Sequence, residues 1–213
     1  LTLLFYEDTL MNKDIPDIIA ICGATGSIYA LKLIEFFLKN GYKIIVVFSE
    51  NALLVANQEL NLNLVNNSNL LKDQILSFLK IDNSQDNIDI LLNNDIGANI
   101  ASGSFVSNGM IILPCSMNTL ASIKVGLANS LITRAADVCI KQGRKLVLSP
   151  REMPFSSIHL ENMLALSLKG VKIAVPSPAF YGNPRDIGDM INFVVGKILD
   201  TFEVHNELYK RWK

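Results

Sequence analysis

The residue types best suited to chemistry stand where apolar runs end. The first group is Gly23-Ala24-Thr25-Gly26-Ser27, directly after the apolar run 18–22. Glycine lets a backbone approach a ligand closely, and a helix beginning there offers unpaired N–H groups to an anion. Thr25 and Ser27 add hydroxyls. The spacing is neither G-x-G-x-x-G nor a P-loop, because no Gly-Lys-Ser/Thr follows. Alone, the loop fits NAD, FMN or a plain turn of the chain. The second group is Ser49-Glu50. An acid there would hold a ribose in a dinucleotide fold; the alternative is a helix N-cap, Ser49, with a first-turn acid beside it.

Three later groups are richer. Pro114-Cys115-Ser116-Met117-Asn118-Thr119 brings hydroxyls, an amide and a helix start to one corner, which suits an anion or a polar ring edge; the alternative is an elaborate cap. Ser149-Pro150-Arg151-Glu152-Met153-Pro154 presents an arginine and an acid between prolines. Arginine suits a bidentate grip on phosphate or carboxylate, and a surface salt bridge is the other option. In 176–184, three prolines hold Phe180 and Tyr181 in a rigid aromatic loop fit for a planar or apolar ligand. Lys197 follows on the next helix, where it could reach an anion or be a solvated lysine.

These groups need elements to position them. Apolar runs 18–22, 43–48, 88–92, 110–113, 145–148 and 171–175 read as strands, with Pro114, Pro150 and Pro176 closing the last three. Helices are expected over 28–39, 50–59, 70–79, 117–125, 130–141, 157–168 and 186–200. Ser156 or Ser157 can cap the sixth. In the seventh, Ile187, Met190, Ile191, Val194, Ile198 and Leu199 share one face. The alternation predicts an α/β protein built on an open parallel sheet with helices on both faces, and ligands then bind beyond the carboxyl ends of the strands. Residues 61–69 read as a polar loop and 93–108 as a mobile or site-lining segment.

Composition narrows the class. The chain has 213 residues, half of them hydrophobic and 18% charged, with a net charge of -1. That supplies a core buried on several sides but no electrostatic footprint for nucleic acid. No apolar run reaches the roughly 18 residues needed to span a bilayer, and the N-terminus carries acids where a signal peptide needs a basic region. Cys22, Cys115 and Cys139 each sit among apolar residues and read as buried thiols, so a cytoplasmic protein is expected. The two histidines, His159 and His205, do not make a His-rich metal site. Residues 1–16 read as a disordered or expression-derived lead-in, with Met11 a candidate start, and residues 17–213 as one domain.

Read in order, the segments GATGSIYALKL, ASGSF (101–105), ILPCSMNTL, LITRAADV (131–138), SPREMPFSSIHLENM and PSPAFYGNP resemble the flavin prenyltransferase family of the UbiX type, formerly described as aromatic acid decarboxylases. The resemblance runs from residue 18 to 213. PREMPFSSIHL together with PCSMNTL is its most specific part. It implies a three-layer Rossmann-like, flavodoxin-type fold that binds FMN between subunits of a dodecamer without a metal. It implies a reaction in which reduced FMN condenses with dimethylallyl monophosphate, releasing phosphate and adding a fourth ring. The product, prenylated FMN, serves a separate decarboxylase of the UbiD type.

Carried over residue by residue, the resemblance puts FMN contacts on Gly23, Ala24, Thr25, Ser49, Ser116, Met117, Asn118, Thr119 and Arg151. Prenyl phosphate contacts fall on Tyr181 and Lys197, with Lys141, Arg151 and Glu152 at the same phosphate. Glu59 matches an acid that handles a proton at the flavin, and Glu152 a second acid able to protonate the departing phosphate. Thr25 lies near the reacting face, and Arg134 matches an arginine near the site or interface. Thr25 stands where the family often has serine, and Lys197 where some members have arginine. Nothing is carried onto 61–99. Three rivals remain: an FMN-dependent decarboxylase of the cysteine-decarboxylase type, a non-catalytic FMN carrier and an NAD-binding module. The first needs a histidine after the first helix, and none precedes His159. A carrier has no use for a second phosphate site.

Overall fold

The structure is a computed structural model that describes residues 12–82 and 86–212. The lead-in expected over 1–16 falls largely outside the described residues, but its last part does not. Asn108 donates to the carbonyls of Asn12 (3.1 Å) and Ile15 (2.8 Å), and Lys43 N–H donates to Lys13 O (3.1 Å). Residues 12–16 are therefore tied to the body.

Among the described residues six strands form one sheet: β1 (Asp17–Ile21), β2 (Ile44–Phe48), β3 (Ile88–Leu92), β4 (Gly109–Cys115), β5 (Lys145–Pro150) and β6 (Lys172–Ile173). Their order is β3-β2-β1-β4-β5-β6, with every pair parallel. This is the doubly wound Rossmann order, and leaving out the edge strand β3 gives the flavodoxin order. The direction of winding switches between β1 and β4, which opens a crevice beyond their carboxyl ends.

Strand alternation divides the core in two. Ile19, Ile21, Val46, Phe48 and Ile111 face a layer made by α1 (Ser27–Lys39), α2 (Glu50–Leu60), α3 (Ser68–Leu79) and α7 (Ile187–Thr201). Ile18, Ala20, Cys22, Val47 and Ile112 face α4 (Met117–Val125), α5 (Leu131–Lys141) and α6 (Ser157–Ser167). Both faces are covered, which is why the central strands are continuous apolar runs.

Two strand ends differ from expectation. Pro114 and Pro150 lie inside β4 and β5. Proline has no N–H to give the ladder, but the register shifts between Ile112 and Cys115, so Pro114 sits in an irregularity. Its carbonyl still accepts from Cys22 N–H at 3.1 Å, joining the two switch-point loops. The run 171–175 yields only the short edge strand β6. In α7, Val194, Ile198 and Leu199 are buried as expected, whereas Ile187 is exposed.

Candidate functional site

A cleft of about 510 Å3 opens at the switch point. Gly23 forms one wall, and the starts of α2, α4 and α5 form the others. Ser49 caps α2 by accepting from Ala52 N–H (3.1 Å). Ser116 caps α4 by accepting from Thr119 N–H (3.2 Å), and its hydroxyl meets that of Thr119 at 3.0 Å. Each serine is thus a helix cap that also lines the cleft. Gly23 is required by space: a Cβ there would stand 2.4 Å from Asn51 Cβ.

The helix starts differ in what they leave free. At α5, Asn93 accepts from Leu131 N–H through its carbonyl (2.8 Å) and from Ile132 N–H through its side chain (3.0 Å), and Ser130 takes Thr133 N–H (3.3 Å). That end is saturated by the protein. At α1, the N-cap Gly26 adopts φ 108 and offers no side chain. Glu59 serves instead, accepting from Gly26 N–H (3.0 and 3.1 Å), Ser27 N–H (2.9 Å) and the Thr25 hydroxyl. At α2 and α4 the first-turn N–H groups of Glu50, Asn51, Met117 and Asn118 have no partner among the described residues. An anion in this cleft therefore finds its donors at α2 and α4.

Glu59 is half of a polar pair at the head of α1. Burial pushes its carboxyl up, but the donors on Thr25, Ser27 and Gly26 together outweigh that and hold it below the usual carboxylate range. Beside it, the Ser27 hydroxyl is buried, and the Ser149 hydroxyl at the end of β5 is buried without a hydrogen-bond partner among the described residues. Under the cleft, burial pushes the thiols of Cys22 and Cys115 up.

The residues expected at the site do not all fall in one place. Gly23, Ser49, Ser116, Asn118 and Thr119 line the cleft. Ala24, Thr25 and Glu59 stand beside it, and the Met117 side chain packs partly against the core. Arg151 and Glu152 leave β5 at the same edge of the sheet; both are exposed, and neither forms an ion pair among the described residues. The salt bridge considered for that pair is absent, and Glu152 Oε1 accepts from Met153 N–H instead (3.1 Å).

The others do not converge on this cleft. Lys141 ends α5, ~16 Å along the helix axis from Ser130. Arg134 donates to Ala101 O (3.2 Å) and stands 3.5 Å from Asp137. With Arg144, which donates to Gly103 O (2.9 Å), it fixes the 101–105 loop along the flank of α5. Tyr181 packs on Phe193, and Lys197 stands 4.0 Å from Asp200.

Several lining residues escaped the sequence reading: Asn51, Asn66, Asn129, Ser130 and Thr133. Asn93 was within reach of the rule that ligands bind past strand ends, since it follows β3 directly. The mobile or site-lining segment 93–108 in fact divides into cleft-lining residues at its start and a short 3-10 helix over Asn99–Ala101. His159 closes a capping box with Ser156.

Comparison with known proteins fits this geometry. The flavoprotein family model matches residues 6–199. A flavin prenyltransferase UbiX from Methanocaldococcus jannaschii is 40% identical over 195 residues, covering 92% of this chain and 97% of that protein. The crystal structure of AnUbiX in complex with FMN and dimethylallyl pyrophosphate is similar at a TM-score of 0.81 and 35% identity, covering 93% of this chain and 97% of that one. A dodecameric FMN-dependent UbiX-like decarboxylase from Escherichia coli O157:H7 gives a TM-score of 0.80 at 39% identity, over 93% of this chain and 100% of that one. The switch-point cleft, the acid at the head of its first helix and these similarities lead to one assignment: the chain belongs to the flavin prenyltransferase family of the UbiX type.

Proposed function

We propose that this protein joins the dimethylallyl group of dimethylallyl monophosphate to reduced FMN, releasing phosphate and making prenylated FMN. The observation that carries this reading is the pairing of Glu59 with Thr25 beside a cleft whose open N–H groups suit an anion, in a chain 40% identical to a flavin prenyltransferase. The residues fit FMN. Its phosphate would take the free N–H groups of α2 and α4 with the hydroxyls of Ser49, Ser116 and Thr119, and Arg151 would add a charge-assisted contact. Gly23 and Ala24 would lie against the ring system.

When bound, reduced FMN supplies the electron-rich ring that accepts the prenyl group. The donor's C–O bond breaks, and the phosphate leaves with the electron pair. Lys197, Tyr181, Lys141 and Arg151 would hold that phosphate, and Glu152 would give it a proton. Glu59 would take the proton lost from the flavin. Its carboxylate is a weak base while Thr25, Gly26 and Ser27 donate to it, so substrate must displace one or more of these bonds before it acts.

Lys141 lies too far along α5 to face the cleft of its own subunit. We assign it, with the 101–105 loop and Arg134 beside it, to the site of a neighbouring copy, and the dodecameric relative supports such an assembly. Among the described residues no helix is long and apolar enough to cross a membrane. Buried free cysteines suit a reducing compartment, and we place the protein in the cytoplasm, with a UbiD-type decarboxylase as recipient of its product. Residues 17–213 would act as one flavin-binding domain. The test is phosphate release under anaerobic conditions. Release should require reduced FMN and dimethylallyl monophosphate together; release that ignores FMN, or none from FMN-loaded protein, would count against the reading.

A further inference from the structure

Tyr181 and Lys197 take their places from the end of the chain rather than from the cleft. α7 carries Gly196 in its interior, where glycine costs roughly 1 kcal/mol relative to alanine. The reason is a close approach: a Cβ there would stand 2.5 Å from Tyr209 Cδ1 and 2.8 Å from Asn206 Oδ1. The notch admits the segment 206–212. Within it, Asn206 Nδ2 donates to Gly196 O (3.1 Å) and to Asp200 Oδ1 (2.9 Å).

Asp200 gathers the rest. Arg211 donates to its two oxygens at 2.8 and 3.0 Å, and the Tyr209 hydroxyl donates at 2.5 Å. Lys197 Nζ stands 4.0 Å from the same carboxylate and 5.9 Å from the centre of the Tyr209 ring. Tyr181 is fixed from two sides, edge to face on Phe193 (5.7 Å) and on Trp212 (5.1 Å), and Phe193 in turn meets Tyr209 (5.0 Å). One anion faces two cations in this cluster, which leaves a net positive charge for a phosphate.

We propose that Asp200 is a positioning residue for the prenyl-phosphate half of the site. Its carboxylate clasps the C-terminal segment to α7 through Arg211, Tyr209 and Asn206, and this sets where Lys197 and Tyr181 present their charge and hydroxyl. The inference rests on the prenyltransferase reading above and adds a residue that touches neither flavin nor donor.

Trp212 is the sole tryptophan of the chain, so its fluorescence anisotropy, read in flavin-free protein, reports whether the segment is docked. The variants are Asp200→Asn and Arg211→Met, with Asp200→Glu as the conservative rescue. Losing one charge-assisted contact should raise the KM for dimethylallyl monophosphate by about 10-fold while FMN affinity stays within about 2-fold. Trp212 anisotropy should fall in both variants, and Asp200→Glu should recover part of both signals. A freed segment with unchanged KM overturns the proposal. So does unchanged anisotropy, or a parallel loss of donor and FMN affinity that marks general damage. If the wild-type chain makes no prenylated FMN, the prenyltransferase reading falls instead, and the anisotropy alone still decides whether Asp200 holds the segment.

Discussion

Replacing Gly23 by alanine perturbs the cleft at its narrowest point. The added Cβ would stand 2.4 Å from Asn51 Cβ, 3.2 Å from Asn51 C and 3.3 Å from Asn51 Cα. Carbon atoms pack at about 3.5–4.0 Å, so the start of α2 must retreat by roughly 1 Å. The obstacle is helix backbone, not the tip of a flexible side chain, so relief cannot come from a rotamer change. Overpacking of this kind costs about 1–3 kcal/mol. It also moves Ser49 and the free N–H groups of Glu50 and Asn51 away from α4. If the shift breaks one charge-assisted hydrogen bond to the FMN phosphate, worth about 1.5–3 kcal/mol, FMN affinity falls roughly 10- to 100-fold. Thermal unfolding and titration of flavin fluorescence measure the two effects. Gly97→Ala is the control, since its methyl would meet only Asp95 Oδ1 at 3.7 Å. Wild-type stability and FMN affinity in Gly23→Ala would show that the cleft wall is not where the reasoning puts it.

Other predictions concern single groups. Glu59→Gln should keep FMN bound within about 3-fold yet slow turnover at least about 10-fold, the low end for general acid–base catalysis; unchanged turnover in flavin-conversion assays would remove Glu59 from the chemistry. Asp17, buried at the start of β1, is pushed by that burial from 3.8 up to about 7, against the opposing pull of Asn108 and Lys145. A raised folded value means that its contribution to stability is fully present below the unfolded value and is lost as pH rises through about 7. Asp17→Asn should therefore raise the Tm at pH 8, by up to about 4 kcal/mol of stability, and flatten the Tm-against-pH curve over that window; a lower Tm at pH 8 would contradict this. Cys22, Cys115 and Cys139 are buried with thiols pushed up by that burial, so a bulky thiol reagent should label none of them until the chain unfolds. Rapid labelling of the native protein would disprove that placement.

Much of the fold was legible because the signals were local. Buried parallel strands read as apolar runs, and Ser49, Ser116 and Ser156 mark helix starts through the hydrogen bonds their side chains can make. The prolines misled about strand ends, since a local irregularity lets β4 continue past Pro114 while its carbonyl still serves Cys22. The cleft-lining residues were legible where they follow the first, second or fourth strand. Asn66, Asn129 and Thr133 were not, because their part depends on how distant segments pack. The saturation of α5 by Asn93 is likewise a tertiary fact: a cap supplied from another element leaves no spacing to read. Glu59 was named through family resemblance alone, and only the fold explains why it points at the head of α1. The placing of Lys197 and Tyr181 by the C-terminal segment turns on Gly196, whose neighbours in sequence give no hint of the notch it makes.

The most direct test of the central claim is the mass of the flavin. Flavin-loaded protein would be incubated with reduced FMN and dimethylallyl monophosphate under anaerobic conditions, and the flavin extracted and weighed by mass spectrometry. The account predicts that FMN gains one five-carbon prenyl unit in wild-type protein, more slowly in Glu59→Gln. Recovery of unmodified FMN alone from well-folded, flavin-loaded protein, while a known family member converts it in parallel, would contradict the account.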